Sequence, residues 1–406
     1  MSTITSATSQ INQPLSALQH ALGPGLEQLV SALDATAVVR DRQGGHAATE
    51  RELLRASGLL GLGLPVELGG LGGGLGDVFQ VMARLAVVDS ALAHVFAFHH
   101  LQLQGLWLYG GPAARLHGAT YLRETAEQRL FWGNALNPAD TRLRAQAHAG
   151  GWLLSGSKSF CSGALGSDRL TVSAHTESGE LLIGVLPTRR QGISVAQDWD
   201  GFGQRQTDSG SVRFESVHLA EHELLQAPGE PLSPRATLRT CIAQLIMTHL
   251  YQGLAQGAFE AGRNFTRDHS RAWPASGASR AANDPLVQHR YGDLWLHLRA
   301  AQALTDQALA SLLQALALGD RVTAAQRGEV AIAVAQAKVL AHRAALQISS
   351  QFFELAGARA TAGSLALDRY WRNARVHTLH DPVDYKLRDL GRHALDGLWP
   401  EPSAYA

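Results

Sequence analysis

The sequence predicts a mostly helical α+β chain in three parts: an N-terminal all-α domain, a middle antiparallel β-barrel, and a C-terminal four-helix bundle. Three observations predict it. Residues from about 15 to 128 are rich in Ala, Leu and Gly, with apolar positions at helical spacing. From about 129 to 225 the pattern changes to short alternating runs divided by turn residues. From about 234 the chain returns to runs of some thirty residues with helical character, separated by short breaks. The expected divisions are 1–128, 129–232 and 233–406.

In the first part, "SALAHVFAFHHLQLQGLWLYG" reads as an apolar helix begun by Asp89 or Ser90 as its N-cap. Before it, "LGLPVELGGLGGGLG" (62–76) holds too many glycines for a helix interior and reads as turns. No lysine follows those glycines, so a phosphate-cradling loop is a weak reading. In the middle, "GWLLSGSKSF", "RLTVSAH", "LLIGVLP", "GISVAQDW" and "GSVRFESVHL" are strands joined by Gly-Gly, Glu-Ser-Gly-Glu and Arg-Arg-Gln-Gly turns. The C-terminal runs carry alanine at many positions, which lets helices approach closely.

Bulk composition narrows the functions. Lys plus Arg and Asp plus Glu are both 35 in 406 residues, so no basic surface offers itself to nucleic acid. No apolar run is long enough to cross a bilayer, which gives no membrane partner. "MSTITSATSQINQPL" lacks the charged start and apolar stretch of a secretion signal. The only cysteines, Cys161 and Cys241, form no CxxC pair, which points to a reducing cytoplasm.

One stretch concentrates chemistry. "RNARVHTLHDPVDYK" (372–386) holds His377, His380, Asp381 and Asp384. Three readings compete: a metal cluster, an acid/base device, or a helix end whose histidines meet the last carbonyl groups. A metal needs more convergent ligands than HxxHD supplies, so none is expected. His377 and Asp384 read as structural.

Four phrases in order resemble the acyl-CoA dehydrogenase superfamily over nearly the whole chain: "LPVELGGLG", "GWLLSGSKSFCSG", "FFELAGARAT" and "LDRYWRNARV". Within it, "WGNALNPADT", "FCSG" and "HTLHDP" resemble the flavin-dependent monooxygenase branch of the dibenzothiophene monooxygenase type. The resemblance implies a flavin between barrel and bundle, in a homotetramer. It implies FMN delivered reduced by a separate flavin reductase, with FAD as the rival cofactor. It also implies a flavin hydroperoxide that hands one oxygen atom to sulfur, or nitrogen, of a small aromatic or organosulfur substrate. Acyl-CoA dehydrogenases carry Tyr-Glu-Gly-Thr where this chain reads His380-Asp381-Pro382-Val383. A base that must reach a C–H tolerates such changes badly. A FAD-dependent acyl-CoA dehydrogenase is thus the second reading, and a flavin-free oligomeric binding protein the third.

The resemblance also assigns residues. His380 is the first candidate for catalysis, since an imidazole can hold a proton and release it near neutral pH. Asp381 orients that ring or meets a flavin hydroxyl; otherwise it is a turn aspartate before Pro382. Ser162 and Asn134 match positions facing the flavin ring, with turn chemistry as the plainer account, and Asn137 and Thr141 are weaker choices. His94 matches a histidine on the same family helix, although the His99-His100 pair leaves its register open by a turn. Arg271 is the candidate for the flavin phosphate, because a guanidinium forks onto phosphate, with Arg280 as rival. The longer spacing from Arg271 to Gln288 fits FMN better than FAD. Phe98, Leu101, Phe160, Trp199 and Phe202 are candidate walls of an apolar pocket, Trp199 also touching the cofactor; ordinary core packing competes for each. Cys161 reads as a small buried hydrophobe with no base beside it.

Overall fold

A computed structural model describes the backbone of residues 17–110 and 112–406, and side chains from residue 22 onward apart from 111–116. The N-terminal stretch read for a secretion signal lies outside the described residues. Among the described residues five α-helices come first: α1 (Ala17–Gln43), α2 (Ala48–Ala56), α3 (Leu75–Val88), α4 (Ser90–Leu108) and α5 (Pro112–Gln128). The Asp89 carboxylate begins α4, accepting the backbone N–H groups of Ala91 at 3.1 Å and Leu92 at 3.0 Å. α4 is buried almost all round because α3, α5, α6 and the first strand pack on it. The glycine-rich loop folds back on itself, Leu71 N–H bonding Gly61 O at 3.0 Å and Gly72 N–H bonding Leu64 O at 2.8 Å.

Eight strands follow: β1 (Trp132–Ala135), β2 (Arg144–His148), β3 (Gly151–Lys158), β4 (Arg169–His175), β5 (Leu181–Pro187), β6 (Ile193–Val195), β7 (Val212–Ala220) and β8 (Leu224–Gln226). They form one sheet in the order β6-β7-β3-β2-β4-β5-β8, with β1 added against β4. The antiparallel pattern expected from the turns holds for β2–β3, β3–β7, β4–β5, β5–β8 and β6–β7. β1–β4 and the end of β2–β4 pair in parallel, making the sheet mixed. β1 leaves through the turns of 136–142 rather than a tight hairpin, so nothing forces it antiparallel to the strand that follows.

The remaining helices are α6 (Pro234–Asp268), α7 (Pro285–Ala317), α8 (Ala324–Ala356), α9 (Arg369–Thr378) and α10 (Val383–Asp396). Side chains of Ser233, Asp284 and Thr323 cap the three long ones. α6, α7, α8 and α10 form the bundle, with α6 and α8 at its centre. One apolar core joins the bundle to α3 and α4, and a second fills the sheet. Among the described residues no helix is long and apolar enough to cross a membrane.

Close approach of α6 to its neighbours depends on small residues. A Cβ at Gly257 would stand 2.3 Å from Val87 O and 2.7 Å from Cε1 of Tyr370. Gly257→Ala gains helix propensity worth about 1 kcal/mol. It is nevertheless expected to lose about 1–3 kcal/mol net, because the obstacle is backbone that cannot swing away. Urea unfolding of the variant against the parent measures this.

Candidate active site

α9 ends at Thr378, and the turn into α10 carries His380 and Asp381. Tyr251 on α6 pins the turn, its hydroxyl donating to His377 O at 2.9 Å. His380 Nδ1 lies 3.0 Å from Asp381 Oδ1, so a neutral ring donates Nδ1–H to the carboxylate and leaves Nε2 as its bare nitrogen. Asp381 is buried, and the same oxygen meets the Nζ of Lys338, a fully buried residue of α8. Lys338 Nζ also donates to Gln244 Oε1 on α6. Burial alone would raise the Asp381 carboxyl. The hydrogen bond from His380 and the charge of Lys338 outweigh it and hold the group well below the usual carboxylate range. Burial pulls the Lys338 ammonium down to about 8 against the attraction of Asp381. Asp381 is therefore a committed acceptor and not a free base for C–H abstraction.

Facing this turn, the His94 ring stacks on Phe98 with centroids 4.1 Å apart and lies 4.9 Å from the His377 ring. Both nitrogens of His94 and Nδ1 of His377 lack a hydrogen-bond partner among the described residues. Burial, followed by the neighbouring His380 imidazole, pulls His94 down to about 3. Burial and the neighbouring His94 and His380 push His377 well below the ordinary histidine value. Both rings are neutral at neutral pH, so this cluster of rings carries no charge of its own. The Tyr405 ring stands edge-on to His380 at 5.6 Å.

The sheet supplies a second group of residues. Phe160 sits at φ 58°, in the left-handed region, with 63% of its surface exposed, and its ring meets Trp199 at 6.2 Å. Ser162 Oγ is 2.8 Å from Ser209 Oγ, which is 2.7 Å from Thr207 Oγ1. Thr207 Oγ1 and Trp199 Nε1 both donate to Gln204 O, at 3.0 and 2.9 Å. Gln204 then ties this loop to the helices. Its Nε2 donates to Ser90 Oγ at 2.9 Å, and its backbone N–H donates to Asn373 Oδ1 at 2.7 Å. Gly203 makes the approach possible, since a Cβ there would stand 2.2 Å from Arg372 O. Gln204 Oε1 is buried and has no hydrogen-bond partner among the described residues.

The structure gathers His94, Phe98, His380 and Asp381 on the helical side and Phe160, Ser162 and Trp199 on the sheet side, with the Gln204 loop as the link between the sheet and α4 and α9. Asn134 joins the second side, its N–H bonding Ser162 O at 3.0 Å, while its own Oδ1 closes a turn with Leu136 N–H. Phe202 is half exposed and stacks on Trp371 at 6.2 Å. Leu101 lies buried in the main helical core. Asn137 closes a turn with Ala139 N–H, and Thr141 is exposed. Arg271 and Arg280 are exposed in the segment between α6 and α7; Arg280 donates to Arg267 O at 3.0 Å, and Gln288 donates to Ala282 O at 3.0 Å. Burial raises the Cys161 thiol to about 12, an inert state. Among the described residues no group of three or more His, Cys, Asp or Glu is placed to hold a metal ion, and Asp384 is exposed.

Comparison with known proteins supplies the family. The acyl-CoA dehydrogenase C-terminal domain family matches residues 245–385. A probable FMNH2-dependent monooxygenase, SfnC of Pseudomonas putida, is 46% identical over 382 residues, which are 93% of this chain and 96% of that protein. This chain belongs to the flavin-dependent monooxygenases of the acyl-CoA dehydrogenase superfamily. Two solved structures agree with the monooxygenase assignment. Methanesulfinate monooxygenase MsuC from Pseudomonas fluorescens superposes with a TM-score of 0.92 at 46% identity, covering 97% of this chain and 100% of that one. FMN-bound TdsC, a dibenzothiophene monooxygenase from Paenibacillus sp. A11-2, gives 0.90 at 37% identity, covering 95% and 100%.

The residues of this monooxygenase fit a flavin. The unpartnered Gln204 Oε1, the hydroxyl chain Ser162–Ser209–Thr207 and the exposed Phe160 and half-buried Trp199 rings offer the mixed donors, acceptors and flat surfaces that an isoalloxazine ring needs. Three members of the site were not singled out from the sequence. His377 reads as structural because nothing local tells an imidazole that meets His94 from any other packed ring. Lys338 left a signal: a single cation among Val334, Ala335, Ala337, Val339 and Ala341 has no aqueous face and must meet a buried anion. Gln204 left none, since its role arises only when the loop docks on α4 and α9.

Proposed function

We propose that this monooxygenase places one oxygen atom on the sulfur of a small organic substrate, using FMN that a separate flavin reductase supplies reduced. The observation that carries this reading is the uncharged cluster of the His94, Phe98 and His377 rings beside the His380–Asp381 pair. Such an uncharged, buried set of rings disfavours water and suits a polarisable, weakly hydrated substrate atom. Bound FMN supplies the activation of oxygen. The chain's own residues do the rest. His380 Nε2 holds and returns a proton at the edge of the site, Asp381 fixes the ring through Nδ1, and Ser162 and Asn134 meet the flavin from the sheet side. Trp199 and Phe160 form the apolar wall on that side. MsuC acts on methanesulfinate and TdsC on dibenzothiophene by their names, and both are sulfur compounds. The reading includes a cytoplasmic homotetramer divided at residues 128/129 and 232/233.

The test is a panel of sulfinates, aromatic sulfides, sulfones and amines, incubated with reduced FMN and oxygen and read by mass spectrometry. Products heavier by one oxygen on sulfur support the reading. Oxygenation confined to amines, or desaturation of an acyl-CoA without any reductase, sinks it. For the cofactor phosphate, Arg271→Ala is expected to weaken FMN binding about tenfold to a hundredfold, as loss of a charge-assisted pair costs about 1.5–3 kcal/mol. Fluorescence titration with FMN, with Arg280→Ala in parallel, shows which arginine takes that place.

A further inference from the structure

We infer that Lys338 is a positioning residue: by neutralising Asp381 from inside the bundle, it leaves the His380 ring neutral, with its proton on Nδ1 and Nε2 bare toward the flavin site. The inference rests on the proposed role of His380. The geometry is a three-member chain, Lys338 Nζ to Asp381 Oδ1 to His380 Nδ1, running from a fully buried position to a ring whose side chain is 41% exposed. Gln244 Oε1 takes another hydrogen of Nζ, so the ammonium is held in place from two helices.

A buried carboxylate needs one positive partner. Two candidates touch Asp381, and the Lys338–Asp381–His380 chain is uncharged when only one of them is protonated. With Lys338 present, the lysine carries the charge and His380 need not. Without it, Asp381 draws a second proton onto His380 or takes one itself and donates back to Nδ1. Either outcome occupies Nε2 and removes the group that accepts or returns a proton. The low Asp381 carboxyl and the ammonium held near 8 agree with this division of charge. The other ionisable groups facing the cluster are His342 on α8, Tyr251 on α6, Arg375 and His377 on α9, Lys386 on α10, His94 on α4 and Tyr405 near the chain's end. Of these only Lys386 bears a positive charge close to Asp381 from another side; its Nζ is engaged by Tyr405 O.

The test uses the full chain without flavin and does not depend on turnover. Diethylpyrocarbonate acylates an unprotonated imidazole nitrogen, and peptide mass spectrometry reads its rate at His380. Lys338→Met, which keeps the side-chain volume, is expected to slow that rate at pH 7.5 by about tenfold. Raising the pH should restore it, which a merely collapsed site would not do. An unchanged rate and pH profile at His380 in folded Lys338→Met overturns the inference. Should that variant not fold, neutron diffraction from the parent protein decides. Three deuterons on Lys338 Nζ, one on His380 Nδ1 and none on Nε2 support it; two on Nζ with both ring nitrogens deuterated overturn it. His380→Asn separates this inference from the reading beneath it. If that variant still oxygenates substrate, the catalytic role of His380 falls while the effect of Lys338 on the ring stays measurable.

Discussion

Replacing His380 by asparagine is expected to leave FMN affinity within about threefold and to lower product formation by about 10²–10⁴-fold, the usual worth of a positioned proton-transfer group. Asparagine keeps a donor that can reach Asp381 but has no nitrogen that gains and loses a proton at neutral pH. The ring is the exposed end of a chain of buried polar groups, so the change leaves no buried orphan behind it. Folding should therefore be spared, and a thermal melt within a few degrees of the parent is the control. Two quantities decide the matter: oxygenated product and hydrogen peroxide formed per reduced flavin consumed. The variant should shift nearly all the flavin into peroxide. A variant with parental coupling would place the proton transfer elsewhere, Ser162 being the next group to test.

The architecture was legible because its signals are local and long. Three helices of 33 to 35 residues announce themselves by period and by caps at Ser233, Asp284 and Thr323. Asp89 is found as the N-cap of α4, and the short alternating runs of 151–220 lie in the sheet as strands. Parallel pairing of β1 with β4 was not legible, because register across a sheet depends on which strand arrives beside which. For the site, residue types in one short phrase pointed to His380 and Asp381. Their partner Lys338 lies 43 positions away, and only the packing of α8 against α10 brings it there. Gln204 bridges to Ser90 over 114 positions. Such contacts leave no periodic trace.

Acid should unfold this protein unusually early, with stability falling below about pH 6.5 and largely gone near pH 5, and its buried histidines are the cause. Burial pulls His94 down to about 3 and His99 and His249 down to about 4, and it pushes His100 and His377 well below the ordinary value. The unfolded chain binds a proton at each of these rings near pH 6.5, whereas the folded chain does not until far lower. Between those values the unfolded state binds more protons, so lowering the pH favours it. At pH 5 each ring that stays neutral in the fold costs roughly 2 kcal/mol. His94, His99 and His249 together remove roughly 6 kcal/mol, and the other two act in the same direction. Domain stabilities are of the order of 5–15 kcal/mol, so this alone removes between about two-fifths and all of them. Of the carboxylates, Asp306 is raised by burial and offsets a little of this trend. Asp381 sits below its unfolded value, so its contribution is lost only at still lower pH. His99 shows why the fold demands the neutral ring. Its Nε2 lies 2.9 Å from Leu60 O and its Nδ1 accepts Trp132 N–H at 3.1 Å, a pairing that an imidazolium, a donor at both nitrogens, cannot make. Urea midpoints measured at half-unit steps from pH 8 to 4.5 check the slope, and His249→Leu, which removes one ring, should flatten it by about one proton. A midpoint constant down to pH 5 would mean that these rings admit protons without unfolding, and with that the uncharged ring cluster beside His380 would also be lost.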